Sequence, residues 1–204
     1  MSKPKLTYFD APVSRGEECR LALQLAGVDF EDVRVKMADW PAVKATTPFG
    51  AVPVFELPGR PPLAHSNAIL TLIGRKHDLH PKDEFVAAQH EAIMCHVEDM
   101  RIKVSATMQI KDEADKRAAR EALASGYLLG WAQSTENQIS DDGPFFAGGK
   151  IHVVDLKVYM AVRWIASGNL DHIPATTFAA YPKLNRVHDA VRDHAVVKAW
   201  YARA

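Results

Sequence analysis

Residues 46–67, TTPFGAVPVFELPGRPPLAHSN, bring together the parts of a small binding site. Val52-Pro53 opens the apolar run Val54-Phe55-Glu56-Leu57, which reads as a strand. Proline lacks an N–H and fits a sheet only at a strand start, an edge or a bulge, and it is the residue that admits a cis peptide bond. The backbone of Val52 is thereby left to pair with something other than a neighbouring strand. Ser66 precedes Ala68-Ile69-Leu70-Thr71-Leu72-Ile73 as a candidate N-cap. A helix start that follows a strand presents free N–H groups and a favourable dipole to an anion. An unpaired backbone edge beside an anion pocket suits a small peptide carrying a carboxylate. Tyr8 ends the β-rich run Lys5–Phe9, where its phenol can face the Val52 edge. Ser14 stands three residues before Glu17, the spacing of a capping box. Arg15, beside it, is disfavoured at a helix N-terminus unless an anion sits there.

Elements that would position these groups follow from periodicity. Cys19, Ala22, Leu23 and Ala26 recur at i, i+3, i+4 and i+7, a helix with one buried stripe that Gly27 ends. Phe30, Val33 and Val35 predict a second strand, parallel to the first through a right-handed crossover. Pro58-Gly59 marks a turn, Leu63-Ala64 a short return strand, and a helix runs from Ser66 to about His77. The order βαβ-αββα is thioredoxin-like. The predicted units are 1–78, a linker at 79–83, and an all-α bundle over 84–204. In the bundle, Val86, Ile93, Val97, Met100 and Val104 mark a long helix, and a second is predicted from Glu113 to Ile139. Gly126 and Gly130 share a face of that second helix, which predicts a close crossing with another. The run 153–165, VVDLKVYMAVRWI, is apolar on nearly all sides and belongs at the bundle centre. His152 stands where a capping hydroxyl would serve better, with Asp155 at N3, a weakened capping box of structural use.

Composition excludes several classes. Lys+Arg and Asp+Glu both total 25, which argues against a nucleic-acid binder. No run approaches the roughly 20 apolar residues that span a bilayer, and the N-terminus lacks an apolar signal core. Cys19 and Cys95 lack CxxC spacing, so reduced thiols and a cytoplasmic location are expected. The nine histidines show no ligand spacing, so no metal is expected.

The motifs KLTYF, W-P-x-x-K at Trp40–Lys44, TPFGAVPVFE and HSNAI resemble those of glutathione transferases, in particular the tyrosine-type, sigma-like members, with a bacterial look. The resemblance spans Leu6 to Trp200. It implies conjugation of glutathione, as co-substrate, to small hydrophobic electrophiles by a cytoplasmic homodimer serving detoxification, with no metal. Tyr8 would hold the sulfur as thiolate and Arg15 would support the pair, with Ser14 as the rival activator. A thiol of pKa near ~8.5 is only a few per cent ionised at pH 7, and each unit of depression is worth ~1.4 kcal/mol. One O–H···S⁻ bond plus a helix N-terminus supplies about two units. Trp40 and Lys44 would take the glycine end, and Val52, beside Pro53, the cysteinyl backbone. His65 and Ser66 would take the γ-glutamyl end, and Asp99 would reach the ammonium bound in the partner subunit. The family usually has Gln or Glu where this chain has His65. The electrophile pocket is expected around Ile102, Ala106 and Met108, with Trp200 as a lid. Two alternatives remain: a glutathione-dependent peroxidase, reductase or isomerase on the same scaffold, and a non-catalytic binding or scaffold relative.

Overall fold

The computed structural model describes residues 3–203 of the chain. Strand β1 (Lys5–Phe9) leads through helix α1 (Ser14–Leu25) to β2 (Glu31–Val35), parallel to β1 with Tyr8 opposite Arg34. Gly27 takes φ +62°, and the amides of Gly27 and Val28 bond back to the carbonyls of Gln24 and Leu23. This is the two-bond closure that a left-handed residue after a helix permits. A 3₁₀ turn (Met37–Asp39) and the short helix α2 (Trp40–Lys44) lead towards Val52-Pro53, a cis peptide. Strands β3 (Val54–Glu56) and β4 (Leu63–Ala64) pair antiparallel, β3 also pairs antiparallel with β1, and the sheet order is β2-β1-β3-β4. Helix α3 (Ser66–Lys76) packs on α1. This is the thioredoxin-like arrangement that the sequence predicts.

An all-helical region follows: α4 (Glu84–Ala106), α5 (Glu113–Ala122), α6 (Leu128–Glu136), α7 (Val153–Ala166), α8 (Pro182–Asp193) and α9 (Ala195–Tyr201). The single helix expected over 113–139 is α5 and α6 joined by a π-helical turn at Leu123–Tyr127, ending at Glu136. Gly126 and Gly130 mark no close crossing, since a Cβ at either would meet nothing within 4 Å. Gly126 lies instead within the π turn, a form that serves as a local bulge in α-helices.

Helix α7 packs against α1, α4 and α8, and every side chain from Val153 to Val162 is buried. Asp155 fixes its start by accepting from the amides of His152 at 2.7 Å and Phe146 at 2.6 Å. Burial raises its carboxyl to about 7 despite these backbone bonds. The His152 ring adds no capping bond, and its Nδ1 is buried without a partner.

Where residues 79–82 pass α4 and the start of α7, three histidines gather. The ring centroids of His80 and His90 lie 6.0 Å apart and those of His90 and His152 5.3 Å apart, and Nδ1 of each lacks a partner. Burial holds all three below the ordinary imidazole value, and the two neighbouring rings help push His90 to about 4. A pKa lower in the folded chain than in the unfolded one means that the unfolded chain takes up the proton first. The stability present above pH ~6.5 is therefore lost as pH falls toward ~4, by roughly 2–3 kcal/mol for His90. Urea unfolding across that window measures the loss, and His90→Leu should flatten its acid dependence. Equal slopes in the two proteins would remove His90 from the account.

Candidate active site

The Val52-Pro53 turn, the start of α3, the first turn of α1 and the middle of α4 enclose a cleft of about 590 Å³. Arg15, Val52, Pro53, His65, Ser66 and Glu98 are among its walls. Val52 precedes the strand ladder, which begins at Val54 on this side, so its backbone stays outside sheet pairing. Ser66 is buried, but it is the first helical residue rather than the cap expected of it. His65 holds the cap position at φ +68° and ψ 120°. Such a backbone costs about 1–3 kcal/mol and persists only when its surroundings hold it. The His65 carbonyl accepts from the Ile69 amide at 3.0 Å, and its ring lies 5.2 Å from that of Phe49.

The Ser66 hydroxyl oxygen accepts a hydrogen bond from Lys157 Nζ at 2.9 Å. Lys157 also meets Glu18 at 2.6 Å and Glu98 at 2.5 Å. Arg101 bridges the same two carboxylates at 2.9 and 2.8 Å, and Arg15 meets Glu98 at 2.7 Å. Glu18 and Lys157 are fully buried, and Arg101 nearly so. Three cations against two carboxylates leave one positive charge in excess beside the cleft. Burial alone would raise the Glu98 carboxyl, but Lys157, Arg101 and Arg15 outweigh it and hold it at about 2. Glu98 is therefore an anion throughout the neutral range.

Tyr8 and Leu6 are the buried alternation of β1. The ring of Tyr8 lies directly on Gly16, where a Cβ would fall 2.0 Å from two ring atoms. Its hydroxyl lies beside Ser14 and stands in the fields of Arg15, Glu18 and Arg101. Burial raises its pKa, and Ser14 and Arg15 only partly offset that. The phenol is thus protonated at neutral pH and able to donate. Ser14, at φ +57°, does not cap α1: Val13 precedes the helix, and no capping side-chain bond forms there. Glu17, the other half of the expected box, accepts from Arg20 at 3.2 Å and from the Trp200 indole at 2.7 Å.

A second cavity of about 340 Å³ lies on the other side of Arg15, which lines both. Its walls include Ser14, Arg101, Ser105, Met160, Arg163 and Trp164. The Tyr8 ring lines neither cavity and opens instead on a small hollow beside Phe9 and Val35. Its hydroxyl lies beside Ser14, which lines the second cavity, and in the field of Arg15, the residue that the two cavities share.

The other expected residues are distributed as follows. Trp40 packs edge-on against Phe9 at 5.1 Å, and Lys44 is exposed with its stem beside Gly50. Asp99 is exposed next to Glu98, and its charge adds to burial in raising the pKa of Tyr127. Ile102 lines the first cleft rather than the second. Ala106 and Met108 are exposed and line neither cavity, and Trp200 is turned to Glu17 and lines neither. The register of α4 explains the difference, because Arg101 and Ser105 form the i, i+4 stripe facing the second cavity. The stripe of Ile102 and Ala106 is rotated about 100° from it. Gly16, Glu18, Glu98, Arg101, Lys157 and Arg163 were not singled out by motif or spacing. The available signal was a lysine inside the apolar run 153–165 and a glutamate beside Cys19 in a helix that must be buried.

A sheet with a cis-proline turn facing a helix start, closed from the far side by a helical bundle, defines a two-part cleft for a small peptide and a second reactant. Residues 4–75 match the family model for the glutathione S-transferase N-terminal domain, and residues 98–204 match that for the C-terminal domain. The chain belongs to the glutathione S-transferase family. It is 30% identical over 203 residues to the hematopoietic prostaglandin D synthase of Gallus gallus, across 98% of this chain and 96% of that one. It is 28% identical to probable glutathione S-transferase 7 of Caenorhabditis elegans, across 96% and 94%. A match to glutathione S-transferase 1 of Ascaris suum, 38% identical, spans 61% of each chain. Among solved structures it is similar to prostaglandin synthase D of Nilaparvata lugens, with a TM-score of 0.87 and 27% identity over 98% of both chains. The glutathione S-transferase of Ascaris lumbricoides gives 0.77 at 29% identity, over 98% of this chain and 97% of that one.

Proposed function

We propose that the chain joins the thiolate of glutathione to a small electrophile, with Tyr8 as the group that holds the sulfur ionised. The carrying observation is the buried, protonated Tyr8 phenol beside Ser14 and Arg15, the latter lining both cavities. The carbon–sulfur bond forms, the leaving group departs with its electron pair, and the thiol proton passes to water. The backbone of Val52 pairs with the cysteinyl residue, as a one-residue strand. Lys157 occupies a lone pair of Ser66, which turns the serine hydrogen toward the γ-glutamyl carboxylate. Glu98 supplies the negative charge for the ammonium that His65 does not carry. Trp40 and Lys44 take the glycine end from the α2 side.

Tyr8→Phe removes the donor without altering the ring. The bound thiol's pKa should rise by about one unit, the hydroxyl's share of the roughly two, and kcat/KM should fall about tenfold at a pH below that pKa. The thiolate absorbance titration and steady-state rates measure both. An unchanged thiol pKa would take Tyr8 out of the mechanism. A second reading makes Ser14 the direct donor and Tyr8 its support, because Ser14 lines the second cavity while the Tyr8 ring does not. A larger loss in Ser14→Ala than in Tyr8→Phe would select it.

The finer assignment is tyrosine-type and sigma-like, with units at 1–78 and 84–204 joined by 79–83. We read the active form as a homodimer in which the exposed Asp99 reaches the partner's ammonium site. Free Cys19 and Cys95 support a reducing, cytoplasmic setting.

A further inference from the structure

The second cavity differs from an apolar slot. Met160, Arg163, Trp164 and Ser167 form one stripe of α7 and its end, at i, i+3, i+4 and i+7, facing Val13 and Arg15. Three arginines, Arg15, Arg101 and Arg163, are among the residues that line the space, and among the described residues no acidic one does. Arg15 and Arg101 are engaged by Glu98 and Glu18. Arg163 is placed differently. Its Nη1 donates to the Tyr201 hydroxyl at 2.5 Å, and its guanidinium lies 4.6 Å from the Tyr201 ring centroid and 6.0 Å from that of Tyr159. Among the described residues no carboxylate forms a salt bridge with it. Glu17, behind Tyr201, is already engaged by Arg20 and Trp200.

Among the described residues Arg163 thus adds a charge with no carboxylate partner to the single excess charge of the Arg15–Lys157 cluster. Two positive charges in excess border a partly enclosed space whose remaining walls are apolar (Val13, Met160, Trp164) or neutral and polar (Ser105, Ser167, Asn169). A neutral apolar electrophile would cover this charge and gain nothing from it. An electrophile with a compact apolar body and an anionic substituent would satisfy both kinds of wall, because a guanidinium forms charge-assisted paired bonds with carboxylates and related oxyanions.

We infer that the electrophile this chain prefers carries an anionic group of the carboxylate or sulfonate kind, and that Arg163 reads it. The inference rests on the transferase reading above and departs from the hydrophobic electrophile expected from the motifs.

The test compares two reactants of the same chemistry, chlorodinitrobenzene and its carboxylate-bearing analogue chlorodinitrobenzoate. In each the glutathione sulfur bonds to the ring carbon, chloride leaves, and the thiol proton goes to solvent. The ratio of kcat/KM, benzoate over benzene and corrected for uncatalysed rates, should fall about tenfold in Arg163→Gln. Arg163→Lys, which keeps the charge, should restore it to within about threefold. An unchanged ratio in Arg163→Gln overturns the inference. Calorimetric titration with the two preformed glutathione conjugates reads the same preference without turnover. Equal affinity of the wild-type chain for both conjugates sinks the anionic preference alone. Failure to bind either conjugate, or to be retained on immobilised glutathione, sinks the transferase reading with it.

Discussion

Gly16→Ala should lower kcat/KM by more than about 100-fold and destabilise the fold by about 1–3 kcal/mol. The added Cβ would lie 2.0 Å from Tyr8 Cγ and Cδ1 and 2.6 Å from Tyr8 Cβ. These atoms form the root of the tyrosine side chain, so rotation about its flexible bonds cannot clear the methyl. Either β1 or the first turn of α1 must move, by more than 1 Å at ordinary van der Waals separation. Both elements carry the site, since β1 holds the phenol and α1 holds Ser14 and Arg15. A displacement of 1 Å at a reacting group is enough to cost about 100-fold. Steady-state rates, the bound-thiol titration and urea unfolding measure the three consequences. In a Tyr8→Phe background the same substitution should cost about tenfold further, because the phenol's contribution is already absent while Ser14 and Arg15 still move. Full activity in Gly16→Ala would mean that the strand and helix part without moving the hydroxyl.

Glycine at position 16 carries no sequence signal of this kind, and the contrast shows what was legible. The strands, α1, α3 and α7 follow from apolar periodicity, Gly27 and Val52-Pro53 from backbone constraints, and the Ser66 helix start from its position after a strand. Each of those signals is local. Closeness of Gly16 to Tyr8 depends on how a strand docks on a helix. The pairing of Glu18 with Lys157 joins residues 139 positions apart, and charged residues in helices ordinarily read as solvent-facing. The expected pocket residues Ala106 and Met108 lie outside the two cavities for a related reason. Apolar spacing points to apolar side chains at the cavity, whereas the α4 stripe that faces it is Arg101 and Ser105. Charge inside the fold was the part that composition concealed.

That hidden charge yields the other large expected effect. Glu18→Leu should destabilise the chain by about 3–5 kcal/mol, because it leaves buried Lys157 and Arg101 with Glu98 as their shared counterion. Against a typical total of about 5–15 kcal/mol, a fraction of the variant would be unfolded at physiological temperature. Lys157→Met alone leaves two arginines facing two glutamates, and should cost about half as much. The double variant Glu18→Leu/Lys157→Met retains Arg15, Arg101 and Glu98, the same single excess of positive charge as the parent. It replaces a buried ion pair by apolar side chains, an exchange that is often neutral or stabilising, so at least half of the Glu18→Leu loss should return. The Ser66 hydroxyl, however, has lost the donor that orients it. Stability and glutathione binding should therefore separate: urea midpoints recover in the double variant, while its affinity for immobilised glutathione stays near that of Lys157→Met. Recovery of both together would show that Lys157 serves only to neutralise Glu18, and a double variant no more stable than Glu18→Leu would show that packing rather than charge sets the cost.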